Sequence, residues 1–231
     1  MKHIILLGHR AQVGKNLCGD LIEEILSEEG IWSGQIFFAE TLKRQVAERY
    51  NLDAAKMEFD HYKKWCPPWI KPRTVEVDVD VGGDGSRIEK QIREQPRTVR
   101  QILIEEGAKG RDLWEDVWAN SAYQKLLGTG HEIGIITDFR FPNEYECFEN
   151  SFKAFTDSKA INPDMEMPKL HKVLVYRPAQ EKKNDGVDDI LPDLEGKDYW
   201  DFVIMNDVED GLYIKNLKKQ LKKLLKKIGV L

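Results

Sequence analysis

The stretch that most constrains the fold is the N-terminal run IILLGHRAQVGKNL, which begins at Ile4. Its first four residues, Ile4 to Leu7, are all apolar and predict a strand buried on both faces. A turn bounded by Gly8 and Gly14 follows and leads into an amphipathic helical pattern. Backbone N–H groups of such a turn can surround an anion, the helix N-terminus is positive, and Lys15 adds a full charge. The stretch therefore predicts a phosphate-binding loop.

The match of this loop to the pattern G-x-x-x-x-G-K-[ST] is incomplete. Five residues separate Gly8 from Gly14, and Asn16 stands where a magnesium-binding hydroxyl is usual. Glycine at position 14 lets the backbone approach phosphate oxygens closely, because it has no side chain to hold them off. A strand, turn and helix with an incidental Gly-Lys pair would show the same residues, so both interpretations stay open at this point.

Length and composition favour an ordinary globular protein. The chain of 231 residues suffices for one large α/β domain, and its 41% hydrophobic and 32% charged residues favour a globular over a disordered chain. The net charge of −5 disfavours a general nucleic-acid-binding protein. No apolar run approaches membrane-spanning length, and Met1 to His3 lead directly into the first strand, so we expect no signal peptide or membrane contact. We expect a cytoplasmic protein, in the host cytoplasm if the chain is viral.

Four further apolar runs predict strands, and they lie at Gln35–Ala39, Gly134–Asp138, Lys172–Tyr176 and Phe202–Met205. Helical patterns separate most of them, including those at Thr41–Tyr50, Asp53–Tyr62 and Asp112–Leu127, the last with Leu113 facing inward. Five buried strands with helical crossovers predict an α/β fold, a five-stranded parallel sheet with helices on both faces. The strictly alternating segment Thr74–Val81 predicts a half-exposed strand outside this sheet.

Asp138 ends one of the predicted buried strands, and Pro142 is well placed in the first turn of the helix that follows. In a chain with a phosphate-binding loop, such a strand-end carboxylate is typical of a Walker B residue that orients magnesium, usually through water. An isolated aspartate at this place more often caps a helix, and that alternative stays open.

The C-terminal helical pattern interleaves leucines with many lysines, among them Lys218, Lys222 and Lys226. Such a helix can lie on a membrane or a nucleic acid. We prefer a solvated basic face on a helix docked to the sheet, because the rest of the chain is acidic.

Several segments together resemble the bacteriophage-type deoxynucleoside monophosphate kinases of the P-loop nucleoside monophosphate kinase group. They are Gly14–Asn16, Phe38–Lys43, Arg97–Leu103, Gly107 with Arg111 and Trp118, Thr137–Glu144, and Val203–Asp207. The resemblance implies magnesium-dependent transfer of the ATP γ-phosphate to a deoxynucleoside 5′-monophosphate. It also implies a P-loop NTPase fold in one domain, residues 1–231, with a substrate-side insertion at residues 51–96 and a lid at residues 178–198.

The expected site residues follow from this resemblance. For ATP they are Gly8, Arg10, Val13, Gly14, Lys15, Asn16 and Leu17. Magnesium would be held by Asn16 and Asp138, and the acceptor monophosphate by Lys43, Arg100 and Arg140, with Trp118 either stacking on the base or filling the core. The catalytic groups would be Lys15, Asp138, Arg140 and Arg177.

Two other functions remain open. One is a P-loop kinase for another small phosphorylated acceptor, and the other is a nucleotide-dependent DNA accessory protein that uses the basic C-terminal helix. In the preferred interpretation the partners are small molecules, ATP and the deoxynucleotide, with no nucleic acid. The accepted bases, and whether the chain acts as a monomer or a homodimer, stay open.

Overall fold

The structure is a computed structural model that describes residues 1–8, 12–81, 88–157, 167–178, 199–207 and 212–231. In chain order these residues form β1 (His3–Gly8), α1 (Lys15–Glu28), β2 (Ser33–Ile36), α2 (Ala39–Tyr50), a short 3-10 helix (Ala55–Glu58), α3 (Asp60–Lys64), β3 (Arg73–Asp80), β4 (Ile88–Gln95), α4 (Val99–Leu113), α5 (Val117–Gly128), β5 (Ile133–Phe139), α6 (Pro142–Asp157), β6 (Lys169–Tyr176), β7 (Phe202–Met205) and α7 (Tyr213–Lys227). They make two compact units, Met1–Glu40 with Glu115–Leu231, and Thr41–Trp114. The predicted lid lies outside the described residues, apart from Pro178.

The first unit is built on a five-stranded sheet with the strand order β2-β5-β1-β6-β7. All four strand pairs are parallel. In a parallel sheet the carboxyl ends of all strands lie at one edge, so the segments after β1, β5, β6 and β7 emerge together. The predicted α/β fold with a five-stranded parallel sheet is confirmed.

The two faces of the sheet are covered by different helices. Ile5 and Leu7 of β1 pack in a core with residues of α1 and α7, whereas Ile4 and Leu6 pack in a second core with residues of α5 and α6. This follows from the two-residue period of a strand, which sends successive side chains to opposite faces. Because both faces are covered, every residue of β1 is buried, and its central residues Ile4 to Leu7 are all apolar, as the sequence predicts.

The C-terminal helix α7 docks on the sheet, as preferred from the sequence. Its apolar positions, among them Leu217 and Leu221, are buried in the same core as α1. On the polar face, Lys218 and Lys222 pair with glutamates of α1. Among the described residues, no helix combines the length and the hydropathy that a membrane crossing requires.

The second unit contains an antiparallel hairpin and a small core. Strand β3 pairs with β4 along its whole length in a separate two-stranded sheet, which confirms the prediction for the alternating segment. Helix α4 begins at a capping box, in which Thr98 and Gln101 each bond the other's backbone N–H. A core that includes Val46, Met57 and Ile102 holds the unit together.

Several predicted boundaries are wrong, among them the start of β6, which lies at Lys169 and not at Lys172. The second strand ends at Ile36, because the next residues turn into α2 instead of pairing with β5. The helix predicted over Asp53–Tyr62 is divided in two by Phe59, whose backbone is extended. Helix α4 continues to Leu113 and ends at an extended Trp114, so α5 starts only at Val117. Leu113 is consequently 90% exposed instead of facing inward.

Candidate functional site

The loop between β1 and α1 has an unusual backbone. Its residues 9–11, including Arg10, lie outside the described residues. Gln12 and Gly14 have positive φ angles of 59° and 92°, a region that L side chains rarely adopt. A Cβ atom at Gly14 would also overlap the side-chain amide of Asn206. The shape of the loop therefore requires glycine at position 14, independently of any ligand.

Gly8, where the loop begins, lies beside the end of β5. It pairs with Phe139, with a register shift between Leu6 and Gly8. A Cβ atom at Gly8 would overlap the ring of Trp200 and lie 2.8 Å from the Phe139 ring. Because Phe139 directly follows Asp138, the register brings the first residue of the loop next to the end of the strand that carries this carboxylate.

Two side chains that follow the neighbouring strands β6 and β7 hold the loop by its carbonyl groups. Asn206 donates a hydrogen bond from Nδ2 to the carbonyl oxygen of Val13, at 2.8 Å. Arg177 donates from Nη1 to the carbonyl oxygen of Gln12, at 3.3 Å. Since both carbonyl groups are engaged, two consecutive peptide units of the loop have fixed orientations. Sequence reasoning misses the role of Asn206, because only the fold brings residue 206 to residue 13.

Replacing Asn206 by alanine is expected to destabilise the protein and the loop together. Asn206 is 2% exposed, and leaving the buried Val13 carbonyl without its donor should cost about 1–3 kcal/mol. Replacement by aspartate should cost more, because a carboxylate would place a second acceptor against that carbonyl. Urea unfolding of both variants tests this, with the exposed Asn150→Ala as control. Equal midpoints for Asn206→Ala and the control would exclude the contact as a stabilising one.

Lys15 is the first residue of α1 and is only 7% exposed. Lys15 places a full positive charge beside the positive N-terminus of α1, and both attract an anion. Val13 is also buried, Leu17 is half-buried, and Asn16 is exposed. A strand, a loop with a left-handed glycine and a buried lysine at the first helical position together provide what an anion-binding loop needs.

Asp138 connects β5 to the start of α2. Its Oδ1 accepts a hydrogen bond from the backbone N–H of Phe38 at 2.9 Å, and its Oδ2 accepts one from Ala39 at 3.0 Å. These two bonds hold the backbone at the point where the chain leaves β2 and α2 begins. A carboxylate has about four acceptor positions, and these two bonds use one position on each oxygen. Its role as a magnesium-orienting carboxylate stays a prediction.

Glu144, in the first turn of α6, is a buried carboxyl group that sequence reasoning misses. It is 8% exposed, and its Oε2 accepts hydrogen bonds from the backbone N–H groups of Arg140 at 2.7 Å and Phe141 at 3.0 Å. Burial, with a smaller contribution from the nearby charge of Asp138, raises the pKa of this carboxyl to about 8, against the effect of the two hydrogen bonds. A signal was present, since glutamate at the third position of a proline-started helix is a capping pattern.

The remaining predicted residues are divided between the two units. Arg140 and Trp118 belong to the first unit, and Lys43 and Arg100 to the second. Trp118 is 8% exposed, which favours the core-filling alternative. Lys43 forms an ion pair with Glu58 at 2.6 Å, and Arg100 forms one with Asp60 at 3.2 Å. The two carboxylates that bind these cations lie two residues apart in the chain.

The residues expected at the magnesium site fit this ion chemically. Asn16 and Asp138 supply amide and carboxylate oxygens, the ligand type that Mg²⁺ prefers. Within the described part of the chain, no group of three or more His, Cys, Asp or Glu residues could hold a metal ion. A magnesium that is held by one carboxylate, waters and substrate phosphates does not need such a group.

Comparisons with known proteins leave the family open. No protein-family model matches the chain, and no curated protein matches it. Among solved structures, it is similar to a candidate plasmid partition protein from Borrelia burgdorferi B31 bound to AMPPNP, with 14% identity and a TM-score of 0.37 over 98% of this chain and 99% of the other. A similarity this distant supports no functional assignment.

Proposed function

We propose that the protein transfers the γ-phosphate of ATP to deoxynucleoside 5′-monophosphates in the cytoplasm, giving deoxynucleoside diphosphates and ADP. The observation that supports this best is the buried Lys15 at the start of α1, behind a loop with a left-handed Gly14. The family resemblance of segments such as Arg97–Leu103 and Thr137–Glu144 supplies the acceptor.

Phosphoryl transfer needs alignment of the reacting groups and neutralisation of charge, with little covalent help from the protein. In this proposal the loop amides and Lys15 bind the β- and γ-phosphates. Arg177, which already donates to the loop, adds positive charge near the migrating group. Magnesium, when bound through Asn16 and Asp138, neutralises further phosphate charge.

The acceptor phosphate is bound by Lys43 and Arg100, which both belong to the second unit. Guanidinium groups suit this role, because their parallel N–H groups match two phosphate oxygens at once. Excluding water from the reacting groups would prevent wasteful ATP hydrolysis, and the segment at residues 178–198 is the proposed lid.

A panel of acceptors tests the proposal. The full chain is given ATP and magnesium with each of dAMP, dGMP, dCMP, dTMP and the four ribose counterparts, and ADP release is followed by a coupled assay. We expect turnover that depends on the monophosphate and favours at least one deoxynucleotide over its ribose form. Turnover with none of the eight would exclude this function, and a kinase for another small phosphorylated acceptor would then be tested.

A nucleotide-dependent DNA accessory protein is a second candidate, favoured by the charge of α7. This helix carries seven lysines and no acidic residue, whereas the whole chain has a net charge of −5. Basic surfaces of this kind bind phosphate backbones through charge alone. ATP turnover that is stimulated by DNA, and not by monophosphates, would favour this candidate.

A further inference from the structure

The second unit contains a third cation beside the two that the sequence marks. Lys63 of α3 donates from Nζ to the backbone carbonyl oxygen of Glu58, at 3.3 Å. The carboxylate of the same Glu58 binds Nζ of Lys43 from α2, at 2.6 Å. Asp60, two residues on, binds Nη2 of Arg100 from α4, at 3.2 Å. One short segment thus gathers cations from three different helices.

Positive charge exceeds negative charge in this cluster. The pKa of Lys63 lies below its usual range, first because of burial and then because of the nearby charge of Lys43, with a smaller effect from Arg100. Glu58 and Asp60 act in the opposite direction without cancelling these effects. Taken by themselves, these three cations and two carboxylates carry one net positive charge, and a dianionic phosphate is attracted to such a group.

We propose that Lys43, Lys63 and Arg100 form one binding site for the acceptor's phosphate, and that Glu58 and Asp60 compete with this phosphate for the three cations. The inference rests on the proposed function, because it assigns the phosphate to the acceptor nucleotide. It adds Lys63, which belongs to no motif, to the residues that bind the acceptor's phosphate. It also predicts that the two acids weaken phosphate binding, whereas the three cations strengthen it.

The exposure of the two acids allows a phosphate to compete with them. The side chains of Glu58 and Asp60 are 53% and 60% exposed, whereas that of Lys43 is 16% exposed. Ion pairs with exposed carboxylates contribute little to stability, so giving them up costs little. A phosphate has three oxygens that can accept from several cations at once, and charge-assisted hydrogen bonds to it are strong.

Isothermal titration calorimetry of the full chain tests the inference. A non-hydrolysable ATP analogue with magnesium saturates the loop, and the titrants are the four deoxynucleoside monophosphates and inorganic phosphate. Lys63→Met is expected to weaken binding about tenfold, the effect of one lost charge-assisted hydrogen bond. The matched control is Lys64→Met at the exposed neighbouring position, which should bind as the wild type does. Asp60→Asn should bind several-fold more tightly.

The outcomes separate this inference from the proposed function. Weaker binding by Asp60→Asn, or equal binding by Lys63→Met and Lys64→Met, would overturn the inference while wild-type turnover of a deoxynucleotide still supports the function. If the three variants bind inorganic phosphate as expected, but no nucleoside monophosphate is bound or turned over, the phosphate site is supported and the proposed function is rejected. A wild-type chain that binds none of these titrants would reject both.

Discussion

Replacing Lys15 by methionine is expected to remove most of the phosphoryl transfer while leaving the fold intact. The loss should be on the order of 3 kcal/mol of transition-state stabilisation, as for the loss of one strong preorganised donor. This corresponds to a fall in kcat/KM of roughly a hundredfold. Methionine is unbranched and apolar, so it suits a position that is 7% exposed. Because methionine can occupy the same space, we expect a Tm close to that of the wild type.

The exposed Lys64→Met serves as the control for this experiment, since it removes a lysine without touching the loop. Both variants are compared with the wild type in the ADP-release assay and by thermal unfolding. Normal turnover by Lys15→Met would show that the loop does not bind the donor phosphates. If Lys15→Met loses both its activity and its fold, Lys15→Arg is measured in its place, because arginine keeps the positive charge at this position.

Much of the central sheet could be predicted from local pattern, because strands such as β1 and β5 contain short apolar runs that are buried in the finished fold. Phe202–Met205 has the predicted bounds, and Ile4–Leu7 forms the middle of β1. Parallel strands buried on both faces leave this pattern in the sequence. Helix α7 was equally predictable, because its leucines recur at helical spacing and its lysines fill the other positions.

Local pattern fails where a distant side chain decides the conformation. Phe38 and Ala39 extend an apolar run, and by sequence they belong to a strand. Their N–H groups instead bond to Asp138, a residue about 100 positions away in the chain. A hydrogen-bonded carboxylate starts α2 at this point, and no periodicity in residues 35–39 contains that information.

The candidate site also contains some residues that local sequence reveals and others that it does not. Gly14 and Lys15 could be found because the loop is continuous in sequence and has a known spacing. Asn206 could not, since its partner Val13 is 193 positions away. Lys63 lacks a motif for the same reason, as its cluster is assembled from three helices.

The second large effect concerns pH, and it comes from Glu144. In the unfolded chain its pKa is near the ordinary value of 4.5, whereas burial raises it to about 8 in the folded protein. Between these two values the folded protein holds a proton that the unfolded chain has released. The free energy of unfolding therefore falls as pH rises from about 4.5 to about 8, and this contribution stays constant above that range. The full loss should be on the order of 5 kcal/mol.

Glu144→Gln is the matched variant, because glutamine stays neutral and its Oε1 can still accept from Arg140 and Phe141. Urea unfolding of both proteins from pH 5 to pH 9 gives the difference in unfolding free energy at each pH. His3 and His171, whose pKa values are lowered mainly by burial, raise stability with pH up to about 6.5. They are present in both proteins, so their contribution cancels in the difference. We expect the wild type to lose stability relative to the variant as pH rises towards 8. Parallel curves would instead mean that the two backbone hydrogen bonds to Oε2 outweigh burial, and that Glu144 carries a negative charge beside Asp138 at neutral pH.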